Sequence, residues 1–104
     1  MVSQKLRLGE AKKRMKAAQN FGDAAFVIRK HCWQDHVERK FTRLEVLNLL
    51  LGKGSLSDNF FPSAAPHSFI WRCRDLDGER VEITLIIRDD VVIITAISAW
   101  RKKR

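Results

Sequence analysis

The sequence predicts a small α+β protein in which N-terminal helices pack on one face of a twisted antiparallel β-meander. Two patterns lead to this prediction. Apolar residues recur at helical spacing in the first half of the chain, whereas from residue 68 onward they alternate with polar residues. A length of 104 residues suits one domain with one core. We expect this domain at residues 23–104, with a basic C-terminal tail, preceded by a basic helix or arm at residues 1–22.

The formal net charge of +8 is concentrated at the two ends of the chain. Residues 1–22 hold six Lys and Arg against one Glu, and residues 101–104 hold four more cations. Residues 23–100 hold 10 cations against 11 carboxylates, so this part is nearly neutral. Basic tails occur on proteins that bind polyanions and also on proteins whose tails are merely solvated. Composition leaves both interpretations open.

Composition and cysteine spacing argue against several other classes of protein. No apolar run approaches the ~20 residues of a membrane helix, and the charged N-terminus has no apolar signal core behind it. We therefore expect a cytoplasmic protein with no membrane partner. Cys32 and Cys73 lie far apart without CxxC spacing, which predicts buried free thiols. We expect no metal site and no cofactor.

The first predicted helix covers residues 3–19. Its apolar stripe is thin, so weak docking is expected, and Gly22 supplies a stop signal. The stripe consists of Leu8, Ala11, Met15 and Ala18. Residues 21–28 fit either a short strand or the first turn of the next helix.

A helix over residues 29–40 would separate two kinds of histidine. His36 would fall within an apolar face, where a packing role is the simpler interpretation. His31, Asp35 and Arg39 would form a polar stripe at spacings of four residues. An aspartate one turn from a histidine raises the imidazole pKa and fixes its tautomer, as acid-base catalysis requires. A surface ion pair is the alternative.

Thr42 and Glu45 have the spacing of a capping box and predict the start of a second helix, which ends at Gly52 and Gly54. The predicted apolar face of this helix consists of Leu44, Leu47, Leu50 and Leu51. We assign it to the core without a chemical role. Residues 55–66 contain two prolines and read as a short edge strand followed by a loop.

Residues 68–74 and 80–88 alternate as two half-buried strands of a hairpin. A two-residue turn at Asp77 and Gly78 would bury two unpaired arginines in the core. A three-residue loop instead pairs Asp75 with Glu79 and places Arg72 opposite Glu82. We predict the second register, whose core side carries Phe69, Trp71, Cys73, Val81, Ile83, Leu85 and Ile87.

The last predicted strand covers residues 91–100 after a two-residue Asp89-Asp90 turn. This turn would pair Thr84 with Thr95. The strand is apolar on both faces, which suggests a central position or a second side covered by a partner. The polar residues of the second sheet face would be Arg72, Arg74, Arg80, Glu82, Thr84 and Thr95.

Two interpretations of this second face are open. It is either a solvated surface with cross-strand ion pairs, or a shallow surface that binds anions. In the second case Arg72 and Arg74 would bind phosphate oxygens and Thr95 would position them. Trp100 would extend the surface by stacking on a base, with residues 101–104, Lys102 among them, binding phosphates.

Residues 26–100 resemble a small bacterial family, domain of unknown function 4258, which is grouped with the BrnT-like and RelE-like toxins. The resemblance rests on five short motifs. These are a histidine with an arginine eight positions on (His31, Arg39), a TxxEV helix start (Thr42, Glu45, Val46), a basic strand before a DG turn (Arg72, Arg74, Asp77, Gly78), a VEIT strand, and a VVIITA strand containing Thr95. The chain departs from the family at Lys40, where a glycine is usual, and at Trp100, where a tyrosine is usual.

The resemblance implies a RelE/barnase-like fold and a metal-independent endoribonuclease toxin of a toxin-antitoxin pair. His31 would act as acid or base and Asp35 would orient it. Arg39, Arg72 and Arg74 would hold the phosphate, with Thr95 as a positioning hydroxyl. The implied partners are RNA, which includes ribosome-associated RNA, and an acidic antitoxin protein. A second copy of the chain is a further expected partner, because it could cover the apolar last strand. The alternative functions are non-catalytic binding of nucleic acid and a protein-interaction module.

Overall fold

The computed structural model describes residues 6–30, 41–59, 67–89 and 91–102, and it confirms the α+β class. Its helices are α1 (Leu8–Phe21) and α2 (Arg43–Leu51), with a short 3-10 turn at Asp23–Ala25. Its strands are β1 (Phe26–Ile28), β2 (Ser55–Asp58), β3 (Ser68–Arg74), β4 (Arg80–Ile86) and β5 (Ile94–Lys102). None of these helices is long and apolar enough to cross a lipid bilayer.

The strands form one sheet in the order β1-β5-β4-β3-β2. Strands β2 to β5 pair antiparallel, as predicted, but β1 pairs parallel to β5, so the sheet is mixed. Of the two predicted alternatives for the apolar segment before residue 29, its last three residues, Phe26–Ile28, form a strand and not a helical turn. β5 lies between β1 and β4, so the central position, one of the two predicted alternatives, is the one observed.

Both helices contribute to one core against the same inward-facing strand residues. Three residues of α1 are buried, Ala11, Met15 and Ala18, and three of α2, Val46, Leu47 and Leu50. They share a cluster with the predicted core side chains of β3 and β4, including Phe69 and Ile83, which are fully buried. This packing leaves the second face of the sheet without a helix among the residues described.

α1 packs through small side chains and two polar anchors. Ala11 and Ala18 let the helix backbone approach the core closely. The Gln19 amide donates a hydrogen bond of 2.7 Å to the carbonyl oxygen of Leu50, and Arg14 donates one of 2.8 Å to that of Asp89. Three of the four residues in the predicted apolar stripe are buried, and the fourth, Leu8, packs partly buried against the core. The helix ends at Gly22, as predicted.

α2 begins where the capping-box pattern predicts. The Thr42 hydroxyl oxygen accepts a hydrogen bond of 3.0 Å from the backbone N–H of Glu45, which satisfies one of the donors left unpaired at a helix start. The predicted apolar face was wrong in one residue, because Leu44 is 64% exposed and Val46 is buried in its place.

The β3–β4 hairpin has the predicted register. Arg72 pairs with Glu82, the backbone N–H of Asp75 donates to the carbonyl oxygen of Glu79, and Gly78 has a φ of 80° in the left-handed region. The three-residue loop therefore keeps every predicted apolar residue of both strands on the core side, where all are buried.

The predicted β4–β5 register was wrong. Thr95 pairs with Ile86 instead of Thr84, and Thr84 pairs with Ser98. The connection is longer than two residues, because β5 begins at Ile94, and the ladder also contains an irregularity next to Thr84. At this irregularity β5 holds one extra residue, so inward and outward positions change places beyond it.

The link between α2 and β2 passes directly over the Trp71 ring. The indole N–H of Trp71 donates a hydrogen bond of 3.0 Å to the carbonyl oxygen of Leu49. A Cβ atom at Gly54 would lie 2.5 Å from two carbons of the Trp71 ring and 2.7 Å from the carbonyl oxygen of Arg72. Only glycine permits this close approach, which sets the position of Lys53 beside β3.

We expect Gly54→Ala to destabilise the protein by about 1–3 kcal/mol, because the added methyl group must displace either Trp71 or β2. Urea unfolding monitored by tryptophan fluorescence would measure the change. Gly9→Ala is the matched control, since nothing lies within 4 Å of its added Cβ. In a helix it should stabilise by up to about 1 kcal/mol. Equal effects of the two substitutions would contradict the close-packing argument.

Candidate anion-binding site

The open face of the sheet collects charged residues at one end. Ser55, Arg72, Glu82 and Trp100 occupy successive paired positions across β2, β3, β4 and β5. The next row toward this end pairs Arg74 with Arg80 and Arg80 with Lys102. Residues that pair directly lie on the same face, so the three arginines of β3 and β4 share this surface with the exposed ring of Trp100.

A depression of about 740 Å³ lies at this end of the face. Four of its lining residues are cationic and one is a carboxylate, and we call it the four-cation depression. Its charged residues are Lys53, Arg72, Arg74, Arg80 and Glu82. Lys53 comes from the α2–β2 link, and the cations therefore come from three parts of the chain. Opposed to a single carboxylate, they create a positive local potential.

Lys53 is the cation that the sequence did not reveal as part of this site. From the sequence it sits at the negative end of a helix dipole, which is a sufficient reason for a lysine. In the structure Gly54 packs closely against the Trp71 ring, and this contact places the neighbouring Lys53 beside β3. A glycine one residue after a lysine is too common to predict this contact.

Internal contacts hold the two predicted phosphate-binding arginines. The Nε of Arg72 donates a hydrogen bond of 3.0 Å to the Oε2 of Glu82, and its Nη1 donates to the hydroxyl of Ser57. The Nη1 of Arg74 donates one of 2.8 Å to the carbonyl oxygen of Gly78. The predicted cross-strand pair is therefore present, and the arginine that makes it also lines the depression.

Cys73 lines the depression but cannot serve it as a nucleophile at neutral pH. Burial, followed by the nearby charge of Asp75, raises the pKa of the Cys73 thiol to about 11. It is a buried free thiol, as predicted. Over the described parts of the chain, no group of three or more His, Cys, Asp and Glu residues could hold a metal ion.

The other predicted site residues are distributed unevenly. Thr95 shares the open face but pairs with Ile86, two rows from Glu82, a separation of roughly 13 Å along the strand. The structure therefore does not bring its hydroxyl to the four-cation depression. The backbone of Lys102 lies opposite Arg80, at the cationic end. His31, Asp35 and Arg39 lie outside the described residues.

Arg101, expected in the basic tail, instead belongs to β5 and sits on the helix side. Its Nε donates a hydrogen bond of 3.1 Å to the Oδ2 of Asp75, and its Nη2 donates one of 3.0 Å to the Oε1 of Glu45. The guanidinium also lies 4.2 Å from the centre of the Phe41 ring. The reversal of faces at the β5 irregularity explains this, since Arg101 pairs with the inward residue Val81 while Trp100 faces outward.

The ion pair with Arg101 alters the ionisation of Asp75. Desolvation favours the neutral acid, but hydrogen bonds from Arg101 and from the backbone N–H groups of Glu79 and Asp77 stabilise the carboxylate. Their combined effect holds the pKa of Asp75 below its ordinary value of 3.8. This group therefore stabilises the fold above that value, and the contribution is lost as the pH falls through the lowered pKa.

Searches of protein-family models, of curated proteins and of solved structures found no match to this chain.

We expect Arg101→Gln to lower the free energy of unfolding by about 2 kcal/mol at pH 7, because Asp75 and Glu45 lose a charged partner. The loss should shrink at pH 3, below the ordinary value of 3.8, because protonation of Asp75 in the unfolded chain removes part of the stabilisation that its ion pair provides. Urea unfolding of both proteins at both pH values would measure it. Arg43→Gln, an exposed arginine on α2, is the control. A loss from Arg101→Gln that is the same at both pH values would contradict this role for Asp75.

Proposed function

We propose that this protein binds single-stranded RNA through the four-cation depression. The observation that supports it is the convergence of Lys53, Arg72, Arg74 and Arg80 on one depression with a single carboxylate. Guanidinium groups match the geometry of phosphate oxygens, and phosphate contacts supply most of the affinity of sequence-independent binding. The resemblance to the RelE-like toxins suggests RNA as the polymer.

Trp100 supports a single-stranded ligand. Its side chain is 49% exposed and occupies the same row of the sheet as Arg72 and Glu82. An exposed indole beside cations can stack on a base while the cations bind the backbone. Bases in a double helix are already stacked on one another, so their faces are not accessible to such a ring.

We expect Lys53→Glu/Arg80→Glu to weaken binding of a short fluorescein-labelled RNA about 100-fold, because two phosphate contacts become repulsive. Fluorescence anisotropy at roughly 50 to 200 mM salt would give the affinity and its salt dependence. The wild-type protein should show a slope of about −0.7 per phosphate contact in a plot of log K against log salt.

The matched control is Lys13→Glu/Arg43→Glu. It makes the same change in net charge at exposed positions on α1 and α2 that do not line the depression. Equal weakening by the two double variants would show that net charge, and not this depression, attracts the RNA. That result would contradict the proposal.

Cleavage of the bound RNA is a second candidate function. The cations of the depression are of the kind that stabilises the negative charge of a pentacoordinate phosphate. In the reaction that the resemblance implies, the ribose 2′-hydroxyl attacks the adjacent phosphate and the 5′-oxygen leaves. His31 would act as the acid or the base of this reaction, Asp35 would orient it, and Arg39 would hold the phosphate.

We expect the wild-type protein to cut RNA in EDTA and leave a 2′,3′-cyclic phosphate, and His31→Ala to abolish cutting while retaining binding. Gel electrophoresis of labelled RNA would follow the products, and an RNA with 2′-deoxy sugars is the uncleavable control. His31→Ala/Arg72→Ala protein that remains folded, cuts RNA and is still toxic to cells would contradict the enzyme hypothesis.

An acidic protein, such as the antitoxin that the resemblance implies, is the alternative partner. The ion pair between Arg72 and Glu82 is an example of a carboxylate bound by one of these cations. Wild-type protein that binds no RNA at any of the salt concentrations above would favour this alternative. Size-exclusion chromatography would test the homodimer that the apolar last strand suggests.

A further inference from the structure

Resting on the proposed function, we infer that the four-cation depression binds a terminal phosphate of the RNA in preference to an internal phosphodiester. The two groups differ in charge. A phosphodiester carries one negative charge, whereas a terminal phosphomonoester carries about 1.5 to 2 at pH 7. In one and the same positive potential, the attraction grows with the charge of the ligand.

The internal contacts of Arg72 make this difference important. Glu82 accepts from the Nε of Arg72 at 3.0 Å and Ser57 accepts from its Nη1. A ligand that binds this guanidinium through the two parallel N–H donors of its Nε side must therefore displace the carboxylate. A diester offers one negative charge, the same as the carboxylate it would replace. The exchange therefore brings no gain in charge. A monoester offers nearly twice as much, together with three oxygens.

A diester therefore binds mainly the cations that are not paired with Glu82, above all Lys53 and Arg80. A terminal phosphate adds the two parallel hydrogen bonds from the Nε side of Arg72 to these contacts. Glu82 thus competes with the ligand for Arg72, and only a ligand with more negative charge than a carboxylate gains by displacing it. The side chain of Glu82 is 20% exposed and that of Arg72 is 49% exposed, so solvent and ligand can reach the pair.

The spacing between Arg72 and Trp100 suits the end of a chain. Two inter-strand spacings separate their Cα atoms, a distance of roughly 10 Å. Both side chains are long and lie on the same face, so a phosphate at Arg72 and the base of the same nucleotide at Trp100 fit this span. The depression of about 740 Å³ is open enough to admit one nucleotide.

The test compares short RNAs of one sequence that carry a 5′-phosphate, a 3′-phosphate or hydroxyl groups at both ends. We expect a phosphorylated RNA to bind wild-type protein about tenfold more tightly than the hydroxyl form, which corresponds to one added charge-assisted contact. Adenosine monophosphate is the free monoester. It should compete more weakly than the phosphorylated RNA. Equal competition would assign the site to free nucleotides and overturn the inference.

Glu82→Gln supplies the second measurement. It releases Arg72, so we expect hydroxyl-ended RNA to bind more tightly, with a salt slope steeper by about 0.7. The slope for the phosphorylated RNA should stay the same, because that ligand already uses Arg72. Glu79→Gln is the matched control: it removes the same charge from an exposed residue outside the depression and should leave both slopes unchanged.

The outcomes separate the two proposals. If hydroxyl-ended and phosphorylated RNAs bind equally well, and Glu82→Gln acts like Glu79→Gln, the preference for a terminal phosphate is wrong while RNA binding stands. If neither RNA binds wild-type protein, the proposed function itself is wrong.

Discussion

The carboxylate of Asp75 connects the parts of the structure on which both the core and the candidate site depend. Its Oδ1 accepts hydrogen bonds of 3.0 and 2.9 Å from the backbone N–H groups of Asp77 and Glu79, which hold the three-residue turn. Its Oδ2 accepts from Arg101 and so connects the turn to β5. Because side chains alternate along a strand, a register shift of one residue would move the apolar face of β4 into solvent. The turn that builds the core thereby also places Arg72 and Glu82 together on the open face.

The irregularity between β4 and β5 also determines which side chains face the core and which face the open side of the sheet. Ala96 and Ala99 are both fully buried, although they are three residues apart, which a regular strand does not allow. The extra residue between them turns Trp100 toward the open face and Arg101 toward Asp75 and Glu45. One irregular position thus supplies the site with an aromatic ring and the core side with an anchor.

The register of the β3–β4 hairpin could be predicted from the sequence because the alternative register has a large desolvation cost. Two arginines without partners would have been buried, and only the three-residue turn avoided this. The last strand carried no such penalty, because the run of residues 91–98 offers apolar side chains in either orientation and several registers are equally acceptable. β1 has three residues, and its parallel partner begins 68 positions later, at Ile94. Periodicity identifies the faces of a strand but not its partner, and a contact such as that of Lys53 depends on packing that periodicity does not describe.

The net charge of a segment likewise does not reveal where its charged side chains lie on the folded surface. Residues 23–100 hold 10 cations and 11 carboxylates, so their sum suggests no polyanion site. The fold separates these charges: Lys53, Arg74 and Arg80 line the depression on the open face, while Glu45 and Asp75 surround Arg101 on the helix side. Glu45 and Asp75 are both paired with Arg101, which offsets part of their effect on the potential that a phosphate meets at the depression. The carboxylate that matters there is Glu82, because it is in direct contact with Arg72.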